Sequence, residues 1–260
     1  MTILTAGYTV GSINEPLNHA RILWDFKPGS ATGDGDGAEL AANDYTAQRW
    51  ITTGAGDWTF EFDANTPVDT FFIAGHNLAG KEITLGTSSA TTGGFTTRAT
   101  FTPLDNTPIF VMANTGTGQD FDVRRYRVSV PSASNVAIIR AGKALQMQRA
   151  IYGGHNPALW NRVTEGQQSF SETGQWLGRT KKRLAYATAY EWQHITAPWY
   201  RDNFEPFAQT LPIKPFAIAG NPLKMSYDVA WAWAAGDVSP QNMGIRNFVT
   251  MGMQVTGYAG

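Results

Sequence analysis

The sequence predicts a mainly β protein built as two successive β-sandwich modules, and three patterns support this fold class. Strict alternation of apolar and polar residues marks strands with one buried face. Short uninterrupted apolar runs mark strands that are buried on both faces. Stretches rich in Gly, Thr, Ser, Asn and Asp separate these runs, and many short strands divided in this way indicate a sandwich or a barrel.

Alternation is clear in four segments, and two runs are continuously apolar. We expect the third alternating segment to form one strand from Leu223 to Trp233, with Ala230 and Ala232 on an outer face that another surface can approach closely. The continuous runs lie at residues 71–74 and 136–139. The apolar members of the four alternating segments are Trp58, Phe60 and Phe62; Leu184, Tyr186, Tyr190 and Trp192; Leu223, Met225, Tyr227, Val229, Trp231 and Trp233; and Met243, Ile245, Val249, Met251, Met253 and Val255.

One substantial helix is expected near residues 197–210. Pro198 suits a first helical position, and apolar residues follow it at helical spacing from Tyr200 to Leu211. Pro206 lacks a backbone N–H, so it should kink or split the helix. The rest of the chain shows no comparable helical pattern.

A length of 260 residues favours two domains, which we place at 1–145 and 146–260. The candidate linkers are residues 131–135 and 153–157, which are rich in Pro, Ser, Gly and Asn and lie on either side of an apolar segment. The boundary is therefore expected near residue 145.

Composition argues against several classes of partner. The formal net charge is −1, with no large field of one sign for nucleic acid or an anionic membrane. The absence of cysteine excludes disulfides, thiol chemistry and the usual structural zinc sites. No run approaches the ~18 apolar residues of a membrane span, and the first residues lack the basic segment followed by an apolar stretch that is typical of a signal peptide. We expect no membrane insertion, no specific nucleic-acid binding, and a protein of the cytosol or of a particle assembled there.

The candidate metal site is a weak calcium site at Asp34, Asp36 and Asp44. Carboxylates in a Gly-rich loop can wrap a hard cation, although the spacing differs from that of an EF-hand. The alternative for these aspartates is a solvated turn. Residues 33–38 also fit a loose dinucleotide fingerprint, but without a preceding strand and a following helix that motif loses its mechanism. No other cofactor is expected.

No set of residues assembles a catalytic site, so we expect the protein not to be an enzyme. The four histidines lack metal-ligand spacing. His76 follows an apolar strand, where it could serve catalysis or satisfy backbone groups of a loop, and we favour the second role. Glu61 and Asp63 share one strand face about 7 Å apart, as carboxylates do on many amphipathic strands, so they indicate a solvated face better than a glycosidase pair.

Two further groups of residues indicate interactions with other chains. The basic concentrations at residues 124–127 and 179–183 could contact nucleic acid, but charges on strand faces or acidic patches on another subunit explain them better. Aromatic residues are abundant and most should be core. A surplus could line a sugar-binding platform or a subunit interface. That surplus comprises Trp176, Trp199, Tyr200, Trp231 and Trp233.

Several segments, taken in order, resemble minor tail and distal tail (baseplate hub) proteins of long-tailed bacteriophages. In the first half the similarity is to a galactose-binding-like β-sandwich of virion proteins. In the second half it is to the tail-tube-like β-sandwich with one helix that distal tail proteins use to form rings. The order of the two parts is the reverse of the usual order in that family. The segments are 21–26, 71–78 and 136–142, then 169–174, 178–180, 199–204 and 215–218.

The resemblance implies a structural virion protein that forms a homo-oligomeric ring, most often of six chains, between the tail tube and the baseplate. Its implied partners are copies of itself and other tail proteins (tube, hub and tip), and its implied location is the virion, assembled in the host cytoplasm. The alternative is a non-catalytic carbohydrate-binding module that recognises a host-surface glycan, with calcium or sugar held by loops at Asp34 to Asp44 and at Gly75 to Leu78.

Overall fold

The structure is a computed structural model, and it describes residues 1–5, 19–114 and 120–258. The chain is mainly β, which confirms the predicted fold class. The strands of the first half are β1 (Thr2–Leu4), β2 (Arg21–Leu23), β3 (Gly29–Gly33), β4 (Trp50–Thr52), β5 (Gly56–Val68), β6 (Thr70–His76), β7 (Ile83–Ser88), β8 (Thr96–Phe101), β9 (Ile109–Met112), β10 (Phe121–Val130), β11 (Ser134–Gly142) and β12 (Leu145–Gln146). Those of the second half are β13 (Arg162–Phe170), β14 (Trp176–Thr196), β15 (Phe216–Ala219), β16 (Val229–Ala234), β17 (Gln241–Asn242) and β18 (Phe248–Tyr258).

These strands form three sheets. Sheet 1 has the order β1-β9-β6-β11-β4, and sheet 2 has the order β3-β5-β10-β7-β8. Sheet 3 has the order β12-β2-β15-β16-β18-β14-β13, with β17 paired to β18. Sheets 1 and 2 pack face to face as a β-sandwich, because alternate residues of both sheets share one hydrophobic core. Trp58, Phe60 and Phe62 of β5 enter this core, as their alternation predicts.

Sheet 1 is a middle layer that is buried on both faces. Phe71 and Ile73 of β6 face the sandwich core, whereas Phe72 and Ala74 face a second cluster shared with sheet 3. In β11, the run at residues 136–139 divides between the same two clusters. The prediction that the continuous apolar runs are buried on both faces is therefore confirmed.

Sheet 3 is covered on its other face by the helical segment. This segment comprises α1 (Ala197–Trp199), a π-helical turn (Tyr200–Phe204) and α2 (Glu205–Ala208), and a separate 3₁₀ helix spans Ala38–Ala42. Phe204 and Phe207 pack into the cluster formed by β14, β15, β16 and β18. None of the helices within the described ranges is long and apolar enough to cross a membrane.

The predicted helix near residues 197–210 is confirmed, and so is its interruption. Pro198 lies in the first turn of α1. The N–H of Glu205 donates to the carbonyl of Tyr200, five residues earlier, and this wide turn directly precedes Pro206. Pro206 has no N–H and cannot make the backbone hydrogen bond that a regular α-helix requires at its position. The widened turn accommodates this missing bond.

The prediction of one strand from Leu223 to Trp233 is wrong. Residues 221–228 form turns, in which Met225 N–H donates to the Asn221 carbonyl at 2.9 Å and Asp228 N–H donates to Met225 at 2.8 Å. Only Val229–Ala234 forms strand β16. Ala230 and Ala232 are buried against the helical segment, so they do not form an outer face for another subunit.

The C-terminal strand also begins later than the alternation suggests. Met243 and Ile245 are exposed and precede β18, whereas Met251, Met253 and Val255 are buried in its core-facing positions. The backbone N–H of Met243 donates to the Phe248 carbonyl at 2.9 Å, which closes a turn over the intervening residues. The exposed apolar residues of this turn continue the alternation of apolar and polar residues, so the sequence pattern does not show where the strand begins.

Short strands of the first half join the sheet of the second half. β2 pairs with β15, and β12 pairs with β2 in the register Leu145 to Ile22. The N–H of Met147 also donates to the Ala20 carbonyl at 3.0 Å. The chain thus contributes to sheet 3 just before and just after it builds the sandwich. A boundary near residue 145, with domains at 1–145 and 146–260, stays a prediction.

Candidate functional site

A long β-hairpin, which we call the arm (residues 162–183), extends beyond the hydrophobic clusters. All nine residues of β13 are exposed, as are nearly all residues at the start of β14. At about 3.3 Å per residue, β13 alone spans about 30 Å. No described residue of β13 belongs to a hydrophobic cluster. The arm therefore presents both of its faces to its surroundings.

The register of the arm places two of its basic residues on one face. Gly166 pairs with Lys181, and Gln168 pairs with Arg179. Because directly paired residues share a face, Lys181 and Arg179 lie together. The guanidinium of Arg179 donates to the Thr164 carbonyl at 3.1 Å, crossing Gly166, where a side chain would meet the Arg179 Nε atom at 3.0 Å. The absence of a side chain at Gly166 thus lets Arg179 lie flat on the arm.

The tip of the arm is apolar and is closed by a defined turn. Phe170, Trp176 and Leu177 are 57%, 65% and 66% exposed. The N–H of Ser171 donates to the Gln175 carbonyl at 2.8 Å, and Gly174, with φ of 83°, makes the return possible. Three large apolar side chains at the end of an exposed hairpin form a compact contact surface.

The arm and the rest of the chain carry opposite charge. Residues 162–183 include five basic and two acidic residues, a net charge of +3. Since the whole chain carries −1, the remainder carries −4. The basic concentration at residues 179–183 thus lies within the arm.

The three candidate calcium ligands each make a different interaction in the structure. Asp34 Oδ2 accepts the N–H of Asp57 at 2.8 Å, and Asp44 Oδ1 pairs with Arg140 at 2.6 Å. The backbone of Asp36 bridges to Ile51. Among the described residues, no group of three or more His, Asp or Glu side chains could hold a metal ion. Asp34 and Asp36 therefore serve the loop and Asp44 serves an ion pair, and a calcium site at these residues stays a prediction.

His76 satisfies backbone groups of two separate loops. Its Nδ1 accepts the N–H of Leu78 at 3.3 Å, so its Nε2 carries the proton and donates to the Thr107 carbonyl at 3.0 Å. Burial lowers the pKa of His76 from 6.5 to about 4, which keeps the ring neutral. This geometry fits the expected structural role of His76.

The charged residues of β5 and β10 pair across the strands. Glu61 accepts from Arg124 at 3.2 Å, and Asp57 accepts from Arg127 at 3.0 Å. Arg125 donates to the carbonyls of Ala90 and Gly93. Glu61 and Asp63 lie on the solvated face of β5, as expected from the sequence, and Glu61 is held there by a cation.

A cleft of about 540 Å³ lies between the sandwich and the second half of the chain. It is lined by residues 26–31, by Glu39 and Asp44, by Arg140 of β11 and by Lys214. Arg140 lies 4.8 Å from the centre of the Phe26 ring, and its Nε is buried without a hydrogen-bond partner among the described residues. The cleft thus combines an aromatic wall with charged groups of both signs.

The aromatic residues singled out from the sequence differ in burial and position. Trp231 and Tyr200 are buried in the clusters, and Trp199 is partly buried. Trp176 stands at the tip of the arm, and Trp233 is partly exposed at the end of β16. Core packing therefore accounts for two of the five, and these aromatics do not form one platform.

Sequence reasoning did not find the buried pair of His155 and Asp228. The two residues lie 73 positions apart and share no motif, so no spacing in the sequence connects them. It also did not identify the arm as a single element, although it noted Trp176 and the basic residues at its base. A hairpin exposed on both faces has no periodic burial, and periodic burial is the signal from which strands are predicted.

Comparisons with known proteins give structural similarities only. No protein-family model matches the chain, and no curated protein matches it significantly. Chitosan-binding module 1 of a chitosanase/glucanase from Paenibacillus sp. IK-5, in a selenomethionine-labelled mutant form, is 14% identical. That match covers 46% of this chain and 98% of the module, with a TM-score of 0.39.

Two further solved structures are similar to the same extent. An F5/8 type C domain from Bacteroides fragilis is 16% identical over 46% of this chain and 97% of its own, with a TM-score of 0.39. The CBM32 of AlyQ in complex with 4,5-unsaturated mannuronic acid is 14% identical over 46% and 96%, with a TM-score of 0.38. Because these TM-scores are below 0.5, we base the function of this chain on its own residues.

Proposed function

We propose that this chain is a non-catalytic structural protein that assembles with further copies of itself through the arm. The observation that carries this proposal is the exposure of both faces of the arm together with its apolar tip. The resemblance to distal tail proteins extends the proposal to a ring in the tail of a long-tailed bacteriophage, between tail tube and baseplate.

An arm of this kind is poorly suited to a solitary chain. A two-stranded hairpin without a packed face is marginally stable in water, and apolar side chains at its tip gain stability when a partner covers them. β13 is also the last strand of sheet 3, so its outer edge has no strand partner among the described residues. Unpaired edges of this kind invite pairing with another chain.

The charge distribution favours a second copy as that partner. The arm carries +3 and the remainder of the chain −4, so each copy offers both halves of a complementary contact. A contact between an arm and a different surface of the next copy is heterologous, and such contacts close into a ring when the rotation between copies allows it.

Sedimentation velocity of the full chain over a range of concentrations tests assembly. Trp176→Ser and Leu177→Ser should weaken self-association, because each removes apolar area from the tip. Ile213→Ser is the matched control, since Ile213 is 80% exposed but lies outside the arm. A wild-type chain that remains monomeric, or tip variants that associate as strongly as the control, would contradict the proposal.

The coding neighbourhood tests the placement in a tail. Genes for a tape-measure protein and a tail tube beside this one support that placement, whereas their absence removes it and leaves the assembly proposal to be judged by sedimentation. Imaging of tail particles provides the second test, because a single copy of the chain without rotational symmetry would reject the ring.

A second candidate function is carbohydrate binding by the sandwich half, and the cleft favours it. Arg140 lines the cleft with its guanidinium, Phe26 offers an aromatic wall, and Lys214 adds a cation. These groups suit an acidic sugar, whose carboxylate accepts charge-assisted hydrogen bonds. Binding of uronate oligosaccharides that is lost in Lys214→Ala and kept in Lys224→Ala would support this role, and no binding would reject it.

A further inference from the structure

A second depression, which we call the amide groove, lies on sheet 3 and has a volume of about 750 Å³. Its floor includes Ala187 and Ala189 of β14, which pair with Thr256 and Gln254 of β18. Directly paired residues share a face, and the alternate residues Tyr190 and Met253 point into the core on the opposite face. The groove is therefore an exposed part of a sheet whose other face is packed.

A short segment of the chain forms the wall of the groove beside β14. Asn156 and Asn161 line this wall, and Asn161 is bonded to β14 in both directions. The N–H of Ala187 donates to the Asn161 carbonyl at 3.2 Å, and Asn161 Nδ2 donates to the Ala187 carbonyl at 2.5 Å. Thr188 Oγ1 donates to the Asn156 carbonyl. The position of the wall is thus fixed by hydrogen bonds to the strand.

The polar groups of the groove are uncharged, and several are unused. The lining contains no Asp, Glu, Lys or Arg, and its histidine, His155, is engaged with Asp228. The side chains of Asn156, Gln254 and Thr256 have no hydrogen-bond partner among the described residues. Asn161 uses its amide N–H and keeps its Oδ1 available as an acceptor.

This lining selects one class of ligand. A charged ligand would find no counter-charge, and an apolar ligand would bury the amides without partners, at a cost of ~1–3 kcal/mol for each polar group. Amide and hydroxyl groups both donate and accept, as do the hydroxyls of a neutral sugar. A volume of about 750 Å³ also lies within the range that encloses a small ligand.

An exposed aromatic ring stands beside the wall. Trp160, directly before Asn161, is 65% exposed and stacks on Tyr227 with ring centres 4.7 Å apart at an angle of 19°. The N–H groups of Trp160 and Asn161 both donate to the Pro157 carbonyl, at 2.9 and 3.3 Å, so one turn positions both residues. Stacking on Tyr227 fixes one face of the indole, and a flat ring of this type packs well against the C–H face of a sugar.

We propose that the amide groove binds an uncharged oligosaccharide, with Asn156, Asn161 and Gln254 as hydrogen-bonding residues and Trp160 as an adjacent stacking surface. This site belongs to the second half of the chain and is separate from the cleft at Arg140 and Lys214. It does not depend on assembly through the arm, because none of its lining residues lies in the arm.

A glycan array of neutral and acidic oligosaccharides, probed with the full chain and followed by calorimetry on the neutral sugars that bind, tests this site. Gln254→Ala and Asn156→Ala should each weaken binding about tenfold, the effect of losing one or two hydrogen bonds. Both residues are exposed, so the variants should fold. Gln209→Ala, which removes an exposed amide outside the groove, should leave binding unchanged.

Three results would overturn the proposal. These are the absence of binding to any neutral oligosaccharide, binding that survives both groove variants, and an assembled form in which a second copy covers the groove and excludes the sugar. Sedimentation of Gln254→Ala separates this proposal from the assembly proposal, because the variant should associate like the wild type whether or not it binds sugar.

Discussion

The Nε2 atom of His155 and the Oδ2 atom of Asp228 are 2.5 Å apart, and the two side chains are 4% and 0% exposed. Asp228 Oδ1 also accepts the N–H of Ala158 at 3.2 Å, and the His155 ring lies against Tyr190 with ring centres 5.0 Å apart. This pair fastens residues 155–158 to the start of β16. It therefore helps to fix the position of the segment that forms the wall of the amide groove.

Gly220→Ala should destabilise the protein through this pair. A Cβ atom at position 220 would lie 2.0 Å from Asp228 Oδ2 and 2.9 Å from His155 Nε2, so the buried pair must move. Overpacking of this kind costs ~1–3 kcal/mol. Urea denaturation measures the loss in free energy of unfolding, and Gly236→Ala is the control, because a Cβ atom there meets nothing within 4 Å. Equal stability of the two variants would refute the prediction.

Acidification should destabilise the protein through His76, whose pKa is about 4 in the folded chain and ordinarily 6.5. Between these values the unfolded chain binds more protons than the folded chain, so stability falls as the pH drops from about 6.5 towards 4. The contribution is roughly 2–3 kcal/mol. The measurement is the free energy of unfolding near neutral pH and near pH 4 for the wild type and His76→Gln.

The glutamine variant isolates the histidine from other groups. Its amide can donate to Thr107 and accept from Leu78, but it does not titrate. Carboxylates titrate in both proteins, so only the difference between the two pH profiles reports His76. If both proteins lose the same stability on acidification, the buried neutral state of His76 does not contribute.

The sequence predicted strands best where burial is periodic. The alternation at Trp58 to Phe62 and at Tyr186 to Trp192 follows directly from strands with one face in a core. The runs at residues 71–74 and 136–139 are continuous because sheet 1 is packed on both faces. The error at Leu223 arose because Asn221 accepts local hydrogen bonds from the N–H groups of Lys224 and Met225, which stabilise turns in a segment whose apolar residues still alternate.

The candidate sites were harder to predict because they depend on tertiary contacts. Asp44 forms an ion pair with Arg140, 96 residues away, and no local pattern could have predicted that contact. Gln254 and Asn156 belong to different parts of the chain and line the same groove, an arrangement that no local pattern encodes. By contrast, the structural role expected for His76 could be predicted in part, because one of its partners, Leu78, lies in its own loop, whereas the other, Thr107, is 31 residues away.

Phe72→Leu should lower the stability of both halves of the chain in one transition. Phe72 of the sandwich stacks on Trp231 of sheet 3, with ring centres 5.5 Å apart at 22°, and both are buried. Because this cluster joins the two halves, we expect circular dichroism and tryptophan fluorescence to report the same urea midpoint, and the free energy of unfolding to fall by ~1 kcal/mol or more in the variant. Phe101→Leu, at a partly buried edge position, should shift it less. Two separate transitions would show that the halves unfold independently.

Self-association through the arm should weaken as salt is added. The arm carries +3 against −4 on the rest of the chain, and this attraction acts between exposed groups, which salt screens within about 10 Å at 0.1 M and about 3 Å at 1 M. Lys181→Gln combined with Lys182→Gln should therefore weaken association at low salt and reduce its dependence on salt, as measured by sedimentation velocity. Lys224→Gln removes an exposed positive charge outside the arm and should change neither.

Trp176→Ser should behave differently from both, because it weakens association at every salt concentration while the dependence on salt remains. Association that strengthens with salt in the wild type, or a double variant that matches the Lys224 control, would show that the charge of the arm does not guide assembly.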